Sequence, residues 1–340
     1  MPTKFLINPM AGTQGGPRFV QALRAACARL GYAEEQDYSL EWTRPGETTE
    51  QARRAGAIWD RVIAVGGDGT VRQVAEGLLK SGTGTALGVI PQGTGNDFSR
   101  AIGLYELWCR RHVIGIERVV EWLMTAPLSP VDVLAANDHL FFLSYCSLGF
   151  DARVSCAYEC MRRRPKLGAL LRGRVINECA YALLALRYIR ARLPQLRIQM
   201  DIAEEGWTES RLRDGTCALI VSNVPCYAGG AHLVSGARYD DGQFEVTPIP
   251  HVWLFPLLIA SRLWPRLRQA CRLESWRVRR VGFHLPRGCA VQVDGEDCSA
   301  SLATCPELSI RVVGQIPVVR GFADSRATHR VAPTHLSGGY

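Results

Sequence analysis

Residues 62–79 read VIAVGGDGTVRQVAEGLL. The apolar run 62–65 has the texture of a strand buried on both faces, and after Thr70 the apolar positions return at helical spacing. A strand that passes through a glycine turn straight into a helix belongs to a parallel sheet covered by helices. Working outward, 4–7, 38–42, 61–65 and 87–90 read as strands. Between them, 18–30 places Phe19, Val20, Leu23, Ala26, Cys27 and Leu30 on one helical stripe, and Thr48 with Gln51 is spaced for a capping box. The expectation for residues 1–130 is a doubly wound α/β nucleotide-binding domain.

From Val131 the pattern changes to period two. Segments 131–137, 139–148, 196–202, 217–223, 243–249, 276–285, 289–295 and 307–313 read as strands, with helices near 151–162, 173–192 and 251–271. So many strands separated by polar turns predict an antiparallel β-sandwich domain with inserted helices over 131–322, its last strands free to return to the first domain. The boundary falls near 125–131, where TAPLSP carries two prolines, and 323–340 is expected to be a disordered tail.

Composition narrows the function classes. With 47% hydrophobic and 21% charged residues in 340, disorder throughout is excluded. The longest apolar run, 252–260, is interrupted by Pro256 and falls short of the roughly 18 to 20 residues that cross a bilayer. The start, MPTKFLINPM, lacks the apolar region of a signal peptide, so a cytoplasmic location is expected. Twelve scattered cysteines without a C-x-x-C pair read as reduced, mostly buried thiols. A net charge of +8 favours an anionic partner: nucleotide, nucleic acid or an acidic membrane surface.

The chemistry concentrates in three loops that follow strands. Glycines 66, 67 and 69 let the backbone turn sharply, and the helix behind them offers unpaired N–H groups to an anion. Gly93-Thr94-Gly95-Asn96-Asp97 repeats the arrangement after 87–90, and residues 8–12 follow the first strand. In a doubly wound sheet such loops converge at one edge, which points to a nucleotide site. Asp68 would repel phosphate unless a divalent cation or a proton transfer balances it. No Walker A, G-x-G-x-x-G or H-E-x-x-H pattern occurs, and no nucleic-acid motif accompanies the basic charge.

The ordered series Asn8-Pro9-Met10-Ala11-Gly12, Gly66 to Thr70, Gly93 to Arg100, Gly149-Phe150-Asp151-Ala152, Ala228-Gly229-Gly230, Asp240-Asp241-Gly242 and Asp294-Gly295-Glu296 resembles the diacylglycerol kinase catalytic-domain lipid kinases. That family includes soluble bacterial diacylglycerol kinases and the sphingosine and ceramide kinases. The resemblance implies ATP and Mg²⁺, with phosphoryl transfer to a lipid hydroxyl in the cleft between two domains, diacylglycerol giving phosphatidic acid being the first acceptor to consider. It places ATP against Asn8, Pro9, Met10, Ala11, Gly12, Thr43, Gly66, Gly67, Asp68, Gly69, Thr70, Val71, Arg72, Thr94 and Asn96. A catalytic Mg²⁺ is implied at Asp68, Asp97 and Asp132, and a structural Mg²⁺ at the Asp241 carboxylate with the main chain of Arg238 and Gln243. An ordinary hairpin turn explains Asp240-Asp241-Gly242 equally well. Glu296 is the expected proton acceptor and Asp68 the organiser of metal and phosphate, with the reverse assignment open.

The sequence departs from the family after Thr70, where Gln73 stands for the usual Glu and Arg72 is also atypical. Gln73 keeps open a catalytically silent lipid- or nucleotide-binding protein, and, because GGDG turns also occur in distantly similar kinases, a kinase of a soluble alcohol, NAD kinase-like or of a sugar phosphate, is the other alternative. A lipid acceptor calls for peripheral contact with the inner face of the membrane; a homodimer is left open. Two stretches could make that contact: the basic run from Arg162 through Lys166 to Arg174, and 253–272 with Trp253, Phe255, Trp264 and its arginines. For the second, the breaks at Pro256 and Pro265 favour plain core packing.

Overall fold

The computed structural model describes residues 1–321 except 12–15, 165–167, 169–173, 194, 203–204, 235, 265, 268–272, 287 and 303–306, and of 174 and 175 only the backbone. Gly12, most of the basic run after Arg164 and the expected tail 323–340 lie outside the described residues.

The first half alternates β1 (Thr3–Ile7), α1 (Pro17–Arg29), β2 (Tyr38–Trp42), α2 (Thr48–Gly56), β3 (Arg61–Gly66), α3 (Asp68–Ser81) and β4 (Ala86–Pro91). Its strands are all parallel, in the order β4-β3-β1-β2. Helices cover the sheet so fully that all six residues of β3 are buried. In α3, Val71, Val74, Ala75 and Leu78 form the inward stripe, and the helix stops at Gly82 in the left-handed conformation. It crosses α2 at Gly77, where a β-carbon would stand 2.3 Å from the Thr49 carbonyl oxygen.

Four helices then run to the second half: α4 (Asp97–Ala101), α5 (Leu104–Cys109), α6 (Arg111–Ile114) and α7 (Ile116–Thr125). The sequence reading places none of them, although Val119, Val120, Leu123 and Met124 of α7 make a clear helical stripe. The buried guanidinium of Arg61 donates to the carbonyls of Leu123 and Ala126, satisfying the C-terminal end of α7.

The second half comprises β5 (Leu128–Ala136), β6 (Leu140–Phe142), β7 (Tyr145–Gly149), α8 (Phe150–Arg163), α9 (Arg174–Arg187), β8 (Arg197–Ile202), β9 (Gly206–Arg211), β10 (Ala218–Ser222), β11 (Cys226–Tyr227) and β12 (Ala231–His232). It finishes with β13 (Phe244–Ile249), α10 (Leu254–Ala260), β14 (Trp276–His284), β15 (Val291–Val293), β16 (Glu296–Asp297), α11 (Ser299–Leu302) and β17 (Glu307–Val319). The antiparallel path β16-β15-β7-β10-β13-β14-β17 continues into the parallel sheet, because Val318 of β17 pairs with Leu87 of β4. On one face Leu148, Leu219, Val221, Phe244 and Val246 pack with β8 and β14; on the other, Ile220 and Ile249 pack under α8, α9 and α10. This is the mixed α/β domain followed by a β-rich domain that the patterning predicts.

Local expectations need correction. Thr48 and Gln51 make no capping box: Gln51 instead accepts from the Arg44 N–H and donates to the Trp42 carbonyl, tying α2 to the end of β2. The segment 139–148 is two strands, because the amides at its centre are taken by a distant carboxylate described below. Around 251–271 the described helix is short, and plain core packing accounts for only one of its faces: Phe255 and Leu258 are buried, whereas Trp253, Leu257, Leu263 and Trp264 are exposed. Among the described cysteines only Cys27, Cys146, Cys217 and Cys298 are buried.

Candidate active site

The ends of β1, β3 and β4 bring three loops together. Asn8 donates from Nδ2 to the Thr70 hydroxyl at 2.8 Å and accepts the Met10 N–H at 2.9 Å, so one amide side chain joins the first loop to the second. Buried Thr43 donates its N–H to the Ile7 carbonyl at 2.8 Å, beside Asn8. The glycine loops meet main chain to main chain: a β-carbon on Gly93 would lie 2.5 Å from the Gly67 Cα. Asn96 holds the second loop in shape, adopting φ 54° while its side chain accepts from the Gly93 N–H and donates to the Gly93 carbonyl. Thr94, Pro9 and Met10 are exposed at the rim. Val71 points into the core, so only its main chain is left for a ligand.

Two carboxylates flank Gly95: a β-carbon on this residue would lie 3.0 Å from Asp68 Oδ2 and 3.5 Å from Asp97 Oδ2. Asp97 is buried and accepts the N–H groups of Gly229 and Gly230 at 2.8 to 2.9 Å, which ties the A-G-G segment of the second domain to the nucleotide loop. Burial raises its proton affinity, against the pull of those amides and of Arg100 and Arg262. Burial, followed by the charges of Asp97 and Asp294, pushes Asp68 up to about 7. The third member of this acidic group, Asp294, accepts the N–H groups of Leu143, Ser144 and Tyr145 at 2.9 to 3.0 Å, and burial pushes it up to about 6. These are the amides that divide 139–148 into β6 and β7.

Glu296 reaches the same place from the second domain. Its Oε1 would stand 2.6 Å from a β-carbon on Gly69, and its carboxylate pairs with Arg72 in the first turns of α3. The half-exposed Glu296 thus lies against the phosphate loop, and the pair with Arg72 spans the cleft. Farther in, Asp151 accepts from the hydroxyls of Ser147 and Tyr227 and from Gln292 Nε2 at 3.3 Å, with burial raising its proton affinity.

Two expected placements differ. Asp132 does not join Asp68 and Asp97; its carboxylate accepts the Gly242 N–H and Gln315 Nε2, both at 2.8 Å, so it braces the 240–242 turn against β17. Asp241 accepts the Gln243 N–H on Oδ1 and pairs through Oδ2 with Arg277, with Arg238 at 3.7 Å. A structural Mg²⁺ on the Asp241 carboxylate would have to displace the half-exposed Arg277. Sequence reasoning misses Asp294 and Asp151 as site members: both stand in motifs already singled out, Asp294-Gly295-Glu296 and Gly149-Phe150-Asp151-Ala152, but nothing local says which cavity they face.

A catalytic Mg²⁺ does fit the acidic group. Burial, reinforced by the charges of Asp97 and Asp294, makes the charged form of Asp68 costly, a cost that a cation would offset, and Asp68 beside the phosphate loop is the natural oxygen donor. Among the described residues no set of three His, Cys, Asp or Glu side chains is already gathered around a common point. Substrate phosphates would therefore complete the coordination.

Glycine loops at the ends of parallel strands, a carboxylate within the loop and a second domain closing over it define a phosphotransferase of the α/β class. Residues 2–134 match the diacylglycerol kinase catalytic domain and residues 141–297 the diacylglycerol kinase accessory domain. The chain belongs to the diacylglycerol kinase catalytic-domain family, lipid kinases that use an alcohol as acceptor. It is 28% identical over 247 residues to a diacylglycerol kinase of Staphylococcus haemolyticus, an alignment that covers 72% of this chain and 66% of that one. It is 30% identical over 243 residues to a "probable lipid kinase YegS-like" of Pseudomonas aeruginosa, covering 70% of each. A crystal structure of a diacylglycerol kinase from Bacillus anthracis superposes with a TM-score of 0.61 at 20% identity, covering 94% of this chain and 97% of that one, and so shares the fold.

Proposed function

We propose that the protein transfers the γ-phosphoryl group of MgATP to the hydroxyl of a lipid, with diacylglycerol the first acceptor to test. The observation that carries this reading is the meeting of Glu296, from the accessory domain, with the Gly69 backbone, next in sequence to Asp68 of the acidic group. Loop amides at the start of α3 receive phosphate oxygens, with Asn8 and Thr70 fixing the loop that presents them. Mg²⁺ held by Asp68 would offset charge on the transferred group. Glu296 takes the proton of the acceptor hydroxyl, and Arg72, attracted both to Glu296 and to phosphate, keeps base and loop in register.

The test is labelled ATP offered with diacylglycerol, phosphatidylglycerol, ceramide, sphingosine, a polyprenol and a soluble sugar phosphate, in detergent. Label in one lipid alone is expected. Label only in the soluble alcohol, or in none, would overturn the reading.

A further inference from the structure

Two helical segments on the outer side of the second domain expose apolar stripes. Around α10, Trp253 (67% exposed) and Leu257 (41%), and just beyond the end of the helix Leu263 (76%) and Trp264 (61%), are exposed, while Phe255 and Leu258 face inward. On α9, Ile176, Leu183 and Leu186 are exposed, whereas Ala180 and Leu184 are buried. The inward residues of both segments belong to one buried cluster, so both stripes lie on the layer that covers the same side of the sheet. Large apolar side chains exposed in series on one layer mark a contact surface.

Charge says what covers it. Residues 162–192 contain nine arginines and lysines against one glutamate, and residues 251–272 four arginines and no acid. The first stretch alone equals the net +8 of the chain, so outside the two stretches the protein is net acidic. The net positive charge of the chain thus comes from the two stretches of sequence that contain the apolar stripes. A second copy of this chain would bring like charge against like charge, and a nucleic acid would leave the tryptophans and leucines unused. An anionic bilayer uses both, taking the aromatic and aliphatic side chains into the headgroup boundary while the arginines meet lipid phosphates.

The surface is also joined to the cleft. Arg262, between Leu257 and Leu263, lies with its guanidinium 3.4 to 3.5 Å from the place a β-carbon on Gly229 would occupy, and Gly229 donates to Asp97. Phe255, on the inner side of α10, packs with its ring 5.1 Å from Phe150 and 6.2 Å from Tyr227, whose hydroxyl donates to Asp151. We infer that Trp253, Leu257, Leu263 and Trp264, with the stripe Ile176, Leu183 and Leu186 and the exposed Arg187, Arg190 and Arg266, form the face by which the enzyme sits on an anionic lipid bilayer, with α10 linking that face to the acceptor side of the cleft. The inference rests on the lipid-kinase reading for its purpose but can be tested apart from it.

The experiment measures co-sedimentation of the whole chain with phosphatidylcholine vesicles with and without phosphatidylglycerol. Wild type is expected to pellet with the anionic vesicles, with Trp253→Ser/Leu257→Gln/Trp264→Ser binding at least roughly tenfold more weakly. Arg187→Gln/Arg190→Gln is expected to lose roughly fivefold per arginine removed, the factor for about 1 kcal/mol per charge. Unchanged melting shows that each variant is folded. Equal binding of the apolar variant and wild type would overturn the inference. So would a concentration-dependent dimer of wild type that the apolar variant abolishes. Phosphorylation of a dispersed short-chain diacylglycerol without vesicles separates the two readings: the apolar variant should keep wild-type turnover there and lose it on vesicles. Failure of wild type to phosphorylate any lipid would sink the kinase reading while leaving the vesicle result standing.

Discussion

At the scale of single residues, the acidic group sets stability against function. A carboxyl whose proton affinity is raised by folding contributes stability at low pH, and that stability is lost as pH rises from the ordinary carboxylate range through the folded value. Asp68, pushed up to about 7, and Asp294, pushed up to about 6, should therefore weaken the nucleotide-free protein between about pH 4 and 7. Asp68→Asn should flatten this loss and melt higher than wild type at neutral pH while abolishing phosphoryl transfer; parallel melting curves for the two proteins across that range would refute the account. Glu296 makes a different prediction. Glu296→Gln should keep MgATP binding and lower kcat and kcat/KM together by roughly a hundredfold. A raised KM for ATP with unchanged kcat would instead make Glu296 a ligand and return the base to Asp68. Glycines announce the loops that hold Asp68 and Asp97, so these are legible in the sequence. Asp132 is not, because its partners come from residues 242 and 315, and Asp294 escapes notice because the amides it holds lie about 150 positions earlier.

Among elements, the strands that alternate or are continuously apolar are legible, and those defined by distant partners are not. β9, GWTESR, is a polar edge strand without an apolar face, and the break between β6 and β7 exists only because Asp294 takes the intervening amides. The two glycine loops test how closely such elements must approach. Gly93 has a φ that other residues adopt, so the cost of Gly93→Ala comes from its β-carbon at 2.5 Å from the Gly67 Cα. The loops must part, and overpacking of this kind costs about 1 to 3 kcal/mol. Nucleotide affinity, measured by calorimetry, should fall at least roughly tenfold while the fold survives at low temperature. Wild-type affinity in Gly93→Ala would show that the loops do not cooperate on one ligand.

For the molecule as a whole, β17 is the joint. Its first part pairs with β14, nearly its whole length lies along β5, and its end pairs with β4. Both cores are therefore completed by one strand, and heating is expected to give a single calorimetric transition. Val318 is fully buried, so Val318→Asp should lower that transition as a whole by at least about 2 kcal/mol; two separate transitions, with only one displaced, would refute the coupling. The same joint has a consequence for biogenesis. When β4 leaves the ribosome its outer edge has no partner, and residue 318 emerges 227 positions after residue 91. At typical rates of synthesis the nascent chain carries an open parallel edge for on the order of tens of seconds. An exposed edge is a template for pairing with other chains. Products interrupted before residue 314 would keep that edge permanently, so in the cell they should be substrates for chaperones and proteases rather than smaller working nucleotide-binding units.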